Sequence, residues 1–167
     1  SINIHLVREN ISRHDLLREL KCGIDGIVTS AETIDSAFAP LIPTNMPCVV
    51  MDAVHPERFE HLCNLAFVDA DSTEIGKLGA KFLSGQGNYT AFGFIGFEET
   101  FHWSQTRIQN FRQMLAEKGF DCSVLNVRRS SIHETSTHRT MYEWAAKLHR
   151  PAAVMAACDE LARQFIE

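Results

Sequence analysis

"YTAFGFIGFEETFHWSQTRIQNFRQMLAEKG", residues 89–119, decides the fold class. The stretch "YTAFGFIGF" reads as a glycine-punctuated apolar strand. "SQTRIQNFRQMLAEKG" follows as a helix, with Ile108, Phe111 and Leu115 on one stripe and Gly119 as its stop. A strand followed at once by an amphipathic helix is the building block of a βαβ unit.

The same alternation runs outward in both directions. Towards the N-terminus the reading gives a strand "INIHLV", a helix "SRHDLLRELKCG" with Ser12 as cap, and a strand "DGIVTS". A short helix "IDSAFAPLI", a strand "PCVVMDA", a loop with one helical turn "VHPERFEHLCN" and a strand "LAFVDAD" complete that side. A helix "DSTEIGKLGAKFLSGQG" then begins at Asp71 or Ser72, with Ile75, Leu78, Gly79, Phe82 and Leu83 as its apolar face. Towards the C-terminus come a strand "FDCSVLNV", a helix "STHRTMYEWAAKLHR", a strand "PAAVMAAC" and a helix "DELARQFIE". This is an α/β protein with parallel sheets and right-handed crossovers. The glycines and Asn88 of "SGQGNYT" mark the boundary between two series, residues 1–88 and 89–167.

Composition narrows the function classes. With 167 residues, 45% of them apolar, the chain can bury a core. Its net charge of −5, with Arg128-Arg129 as the one basic cluster, argues against direct phosphate-backbone binding. Five cysteines, an odd number with no CxxC pair, suit reduced thiols in a cytoplasmic protein. No signal peptide and no membrane-length apolar run is expected.

Catalytic and cofactor motifs are absent. There is no GxGxxG, since Gly93 and Gly96 lack the spacing, and no GxxxxGK[ST] or GxSxG. In "HETSTH" the histidines His133 and His138 stand five apart, roughly 140° off the face that a zinc-binding HExxH needs. His55, His61 and Cys63 lack a fourth ligand. No metal, no cofactor and no enzymatic activity are expected.

Ligands of open α/β sheets bind at the carboxyl ends of strands. That rule selects Ser30 after "DGIVTS", Asp71 after "LAFVDAD", Trp103 and Arg107 after "FGFIGF", and Asp159 after "AAVMAAC". Asp71 has a first duty as a helix cap. Trp103 and Arg107, four apart, share one face at a helix start. Two plainer roles compete: Trp103 as a lid on the core, and Arg107 as an ion pair with Glu98 or Glu99.

Three stretches taken together carry a family resemblance: "FVDADSTEIGKLGAKFLSGQGNYTAFGFIG", "WSQTRIQNFRQMLAEKGF" and "AAVMAACDELARQFIE". They resemble the effector-binding domain of lac-repressor-type regulators, which has the type I periplasmic-binding-protein fold. The family pattern V-x-x-D-N-x-x-x-G-x-x-A-x-x-x-L falls on Val68 to Leu83, R-x-x-G-F on Arg107 to Phe111, and A-N-D on Ala157-Cys158-Asp159. "WSQTR" is similar to the sensor of xylose-operon activators, which precedes an AraC-type DNA-binding domain. Among the departures from the pattern, Ser72 and Cys158 each stand for Asn, and Asn110 for Gly. At Cys158 a donor–acceptor side chain is replaced by a thiol, which alters the expected sugar contact.

The resemblance implies two flavodoxin-like lobes, here in a partial version without the family's first strand or return half, with an effector between them. It implies a bacterial transcription regulator that senses a sugar or related polar metabolite through Trp103, Arg107, Asp159, Asp71 and Ser30. DNA contact would come only from a domain absent from these residues. A cytoplasmic homodimer is the expected form. A periplasmic solute-binding protein, or an α/β enzyme acting on sugar derivatives, are the alternatives.

Overall fold

The structure, a computed structural model, describes residues 12–30, 39–51, 59–98 and 101–167. The expected strand at 2–7, most of the expected helix at 34–42, His55 and Glu99 lie outside the described residues. The chain divides into two compact units, residues 1–70 and 71–167.

The first unit holds helix α1 (Arg13–Lys21) and strands β1 (Ile27–Ser30), β2 (Cys48–Met51) and β3 (Leu65–Val68). Ser12 caps α1 through its hydroxyl oxygen, which accepts from the Asp15 amide at 3.1 Å. The strands pair in parallel in the order β1-β2-β3. Buried Cys48 and Val50 of the central strand pack with Ala39, Ile42, Phe59 and Leu62 into a separate small core. Of the expected helix at 34–42, the described part is a single 3-10 turn, Ala39–Leu41. Pro40 and Pro43 leave no room for a longer helix at its end.

The second unit holds helix α2 (Ser72–Gly85), strand β4 (Ala91–Phe97), helix α3 (His102–Ala116), strand β5 (Cys122–Val127), helix α4 (Thr135–Ala145), strand β6 (Ala152–Ala156) and helix α5 (Asp159–Ile166). Its sheet is parallel in the order β5-β4-β6. Central β4 is buried along nearly its whole length, which explains its unbroken apolar run. Helices α2 and α3 cover one face, where Phe111 meets Phe94 at 5.4 Å between ring centres. Helices α4 and α5 pack together on the other, with Trp144 edge-on to Phe165. The chain leaves α3 through Gly119 at φ 79°, a left-handed conformation that glycine adopts without penalty.

The apolar face expected for α2 is corrected in part: Ile75, Gly79 and Leu83 are half-buried, Leu83 against the core, but the other two members turn outward. Leu78 and Phe82 are 58% and 63% exposed, while Ser72, Gly76 and Ala80 are buried. The reason is the closeness of α3. A Cβ on Gly76 would lie 2.5 Å from the Arg107 carbonyl oxygen, so only small residues fit this seam. Lys118 Nζ donates to Ser84 Oγ (2.6 Å) at the far end of the same seam. Helices α2 and α3 therefore run parallel and start at the same end.

Candidate functional site

The carboxyl edge of the second sheet is where its connections diverge. From β4 the chain turns into α3 on one face and crosses to β5; from β6 it turns into α5 on the opposite face. Between the ends of β4 and β6 lies the switch point of the sheet, the usual ligand position in an open α/β fold.

Arg107 spans this point. It is in the second turn of α3, and its Nη1 donates to the Ala157 carbonyl oxygen, just past β6, at 2.6 Å. Its Cζ lies 4.8 Å from the centre of the Trp103 ring. Its Nε is buried and meets no acceptor. The ion pair with Glu98 does not form, because Glu98 accepts from Arg128 Nε at 2.7 Å. Arg107 thus presents a fixed charge at the sheet edge with donors that the fold does not fully use.

Trp103, in the first turn of α3, is half-buried. It meets Phe97 edge-on (6.0 Å between ring centres) and lies nearly parallel to Phe101 (5.9 Å, 15° between planes). It is therefore part of the core margin and a platform for Arg107 at once. The plainer role as a lid and the binding role are not exclusive here. Ser104 beside it is fully buried with an unpartnered hydroxyl.

Asp159 is the first residue of α5, exposed, two residues beyond the carbonyl that Arg107 holds. Cys158, its N-cap, makes no side-chain capping bond. Asp71 caps α2: its Oδ1 accepts from the Glu74 amide at 2.9 Å. Because α2 and α3 are parallel, Asp71 lies at the same end of the second unit as Trp103. Ser30 ends β1 in the first unit, at the carboxyl edge of the other sheet.

Sequence reasoning missed Phe101, Asn126 and the loop after β5. Asn126, Arg128, Ser131 and Glu134, with Glu98 and Thr137, line an open polar depression of about 370 Å³ beside the end of β5. The signal was present in "NVRRS", where the strand runs out into the polar residues Arg128, Arg129 and Ser130 at the sheet edge, where loops carry function. Among the described residues no cluster of histidine, cysteine and carboxylate side chains could hold a metal ion. No described helix is long and apolar enough to cross a membrane.

Known proteins share this architecture. A glucose-galactose binding protein from Geobacillus stearothermophilus, GanP, superposes with a TM-score of 0.59 at 21% identity, over 92% of this chain and 56% of its own. A LacI transcriptional regulator from Lactobacillus brevis superposes with a TM-score of 0.59 at 24% identity, over 84% of this chain and 51% of its own. The chain thus spans about half the length of these two structures. No curated protein matches it in sequence. The periplasmic binding protein-like domain matches residues 80–167, which is more than half of the chain and includes β4, β5 and β6 with Trp103, Arg107 and Asp159. The chain belongs to the periplasmic binding protein-like domain family.

Proposed function

We propose that this chain is the ligand-sensing part of a bacterial transcription regulator and acts by binding a sugar or related polar metabolite, without catalysis. The observation that carries this reading is Arg107: a guanidinium at the switch point of the second sheet, held by Trp103 and Ala157 and free of any carboxylate partner among the described residues. A planar fork of N–H donors suits vicinal hydroxyls or a carboxylate. Asp159 and Asp71 accept from ligand hydroxyls, and the uncovered part of the Trp103 ring meets the apolar C–H face of a sugar. Ser30 contributes from the first lobe.

In this proposal two lobes, expected from the sequence at 1–88 and 89–167 and divided in the structure after Ala70, close on the ligand, and closure repositions a DNA-binding domain of AraC type in the parent protein. Such a switch requires tighter binding to the closed state than to the open one. The regulator is a cytoplasmic homodimer. The likeness to a LacI regulator supports the regulator reading alone. The likeness to a glucose-galactose binding protein supports a second reading, a solute-binding protein with the same ligand edge.

A thermal-shift screen of hexoses, pentoses and sugar acids tests the shared core of both readings. A ligand of the folded state raises its stability by RT ln(1 + [L]/Kd), about 2.7 kcal/mol at a hundredfold excess over Kd. A rise of several degrees for one sugar class is expected, and it should shrink to about half or less in Arg107→Ala. An unchanged shift in that variant would remove Arg107 from the site. Binding of the ligand-dependent parent protein to its own promoter DNA separates regulator from solute carrier.

A further inference from the structure

Trp103 and Arg107 are the inner half of a longer stack. Arg129 Cζ lies 5.6 Å from the centre of the Phe101 ring. Phe101 lies nearly parallel to Trp103 at 5.9 Å, and Trp103 lies under Arg107 at 4.8 Å. Arg107 in turn donates to the Ala157 carbonyl. The series runs from the loop after β5, through the start of α3, to the loop after β6. It ties together all three carboxyl-edge connections of the second sheet. Phe97, at the end of β4, meets both rings edge-on, at 5.5 Å and 6.0 Å, and fixes them from below.

The physical consequence concerns aim. A guanidinium over an aromatic face is attracted by the ring quadrupole. The plane of Trp103 therefore sets where Arg107 can rest, and the plane of Trp103 is set by Phe97 and Phe101. The α3 N-terminus has no side-chain cap to do this instead: Phe101 occupies the N-cap position without a capping bond. Arg129 lies over Phe101, the ring at the outer end of the stack. We propose that Phe101 and Arg129 are positioning residues that set the direction of the Arg107 guanidinium without touching a ligand. The proposal rests on the reading of Arg107 as the binding group, and it adds how that group is aimed.

The test is made on the whole chain without ligand, by nitrogen–proton NMR of side chains. The chain has two tryptophans, so two indole signals appear. Trp103→Phe identifies one of them, and Arg107→Lys identifies the Arg107 Nε–H signal. Phe101→Leu keeps an apolar side chain but removes the ring. It should shift the Trp103 indole and the Arg107 Nε–H signals, while the Trp144 indole, on the other face of the sheet, stays in place as the folding control. Phe101→Tyr, which restores the ring, should return both signals to their original positions. Arg129→Ala should move the same two signals in the same direction by less. An Arg107 signal that ignores Phe101→Leu overturns the proposal, as does a shift that Phe101→Tyr fails to reverse. These outcomes are independent of sugar binding. If Arg107→Ala leaves sugar affinity unchanged, the binding reading falls while the NMR result still stands or fails by itself.

Discussion

Arg107 joins two demands that a single residue rarely meets. One N–H donor is committed to the Ala157 carbonyl, so the guanidinium cannot swing out freely. Its Nε is buried with no acceptor, and a buried unpaired donor costs about 1–3 kcal/mol. Cys122 shows a different use of burial. Loss of solvent pushes its thiol up to about 11, against a lesser lowering by Arg112. The thiolate is the reactive form, so Cys122 should label slowly with a disulfide reagent at pH 8 and faster as pH rises towards 11. Exposed Cys22 and Cys63 should label first, and buried Cys48 late. Peptide mapping of a labelling time course checks the order; early labelling of Cys122 would contradict it. The position of Arg107 at a strand end and helix start was legible in "FGFIGF…WSQTR". Its partners were not, because Ala157 is fifty residues away and contributes only a backbone carbonyl.

At the scale of elements, the seam between α2 and α3 is the feature that sequence periodicity misjudged. Counting apolar side chains selects Leu78 and Phe82, yet the buried stripe is Ser72, Gly76 and Ala80. Small residues signal a close helix approach rather than a lack of packing, and hydropathy alone does not register them. Gly76→Ala should therefore destabilise the second unit by about 1–3 kcal/mol, the range for forcing extra atoms into a packed interface. The denaturation midpoint should fall with no change in slope. A midpoint within error of the parent would contradict this packing account. In the same layer Phe111 is fully buried between Phe94 and α2. Phe111→Ala should cost about 3–5 kcal/mol by the same measurement. Among the described residues the strands and helices were otherwise legible in order and type. Gly23 and Gly119 mark helix ends where the reading put them, both at positive φ.

At the scale of the molecule, two separate cores stand in the two units, with no member in common. Cooperative units of a protein, each with its own core, open as separate bodies. Phe111→Ala should therefore lower hydrogen-exchange protection in β4, β5 and β6 and leave that of β2 near its original level. Equal loss in both units would show a single cooperative body. The packing boundary at Ala70 and Asp71 falls one helix before the glycine-rich stretch at 85–90. The reading of "SGQGNYT" rested on local turn residues, whereas α2 joins its unit through contacts with α3 that no local signal carries. Ligand chemistry is the part least legible in the chain, since Cys158 stands where the family pattern has a polar side chain. Arg107, at the second sheet's carboxyl edge, is the proposed binding group for a small polar ligand. Titration calorimetry of the parent chain, Arg107→Lys and Arg107→Ala against D-glucose, D-galactose, pentoses and sugar acids tests it directly. The parent should bind one class, and Arg107→Ala should lose about ten- to a hundredfold in affinity, the worth of hydrogen bonds to a charged donor. Arg107→Lys, which keeps the charge without the fork, should fall between them. Equal affinity in all three would contradict the account.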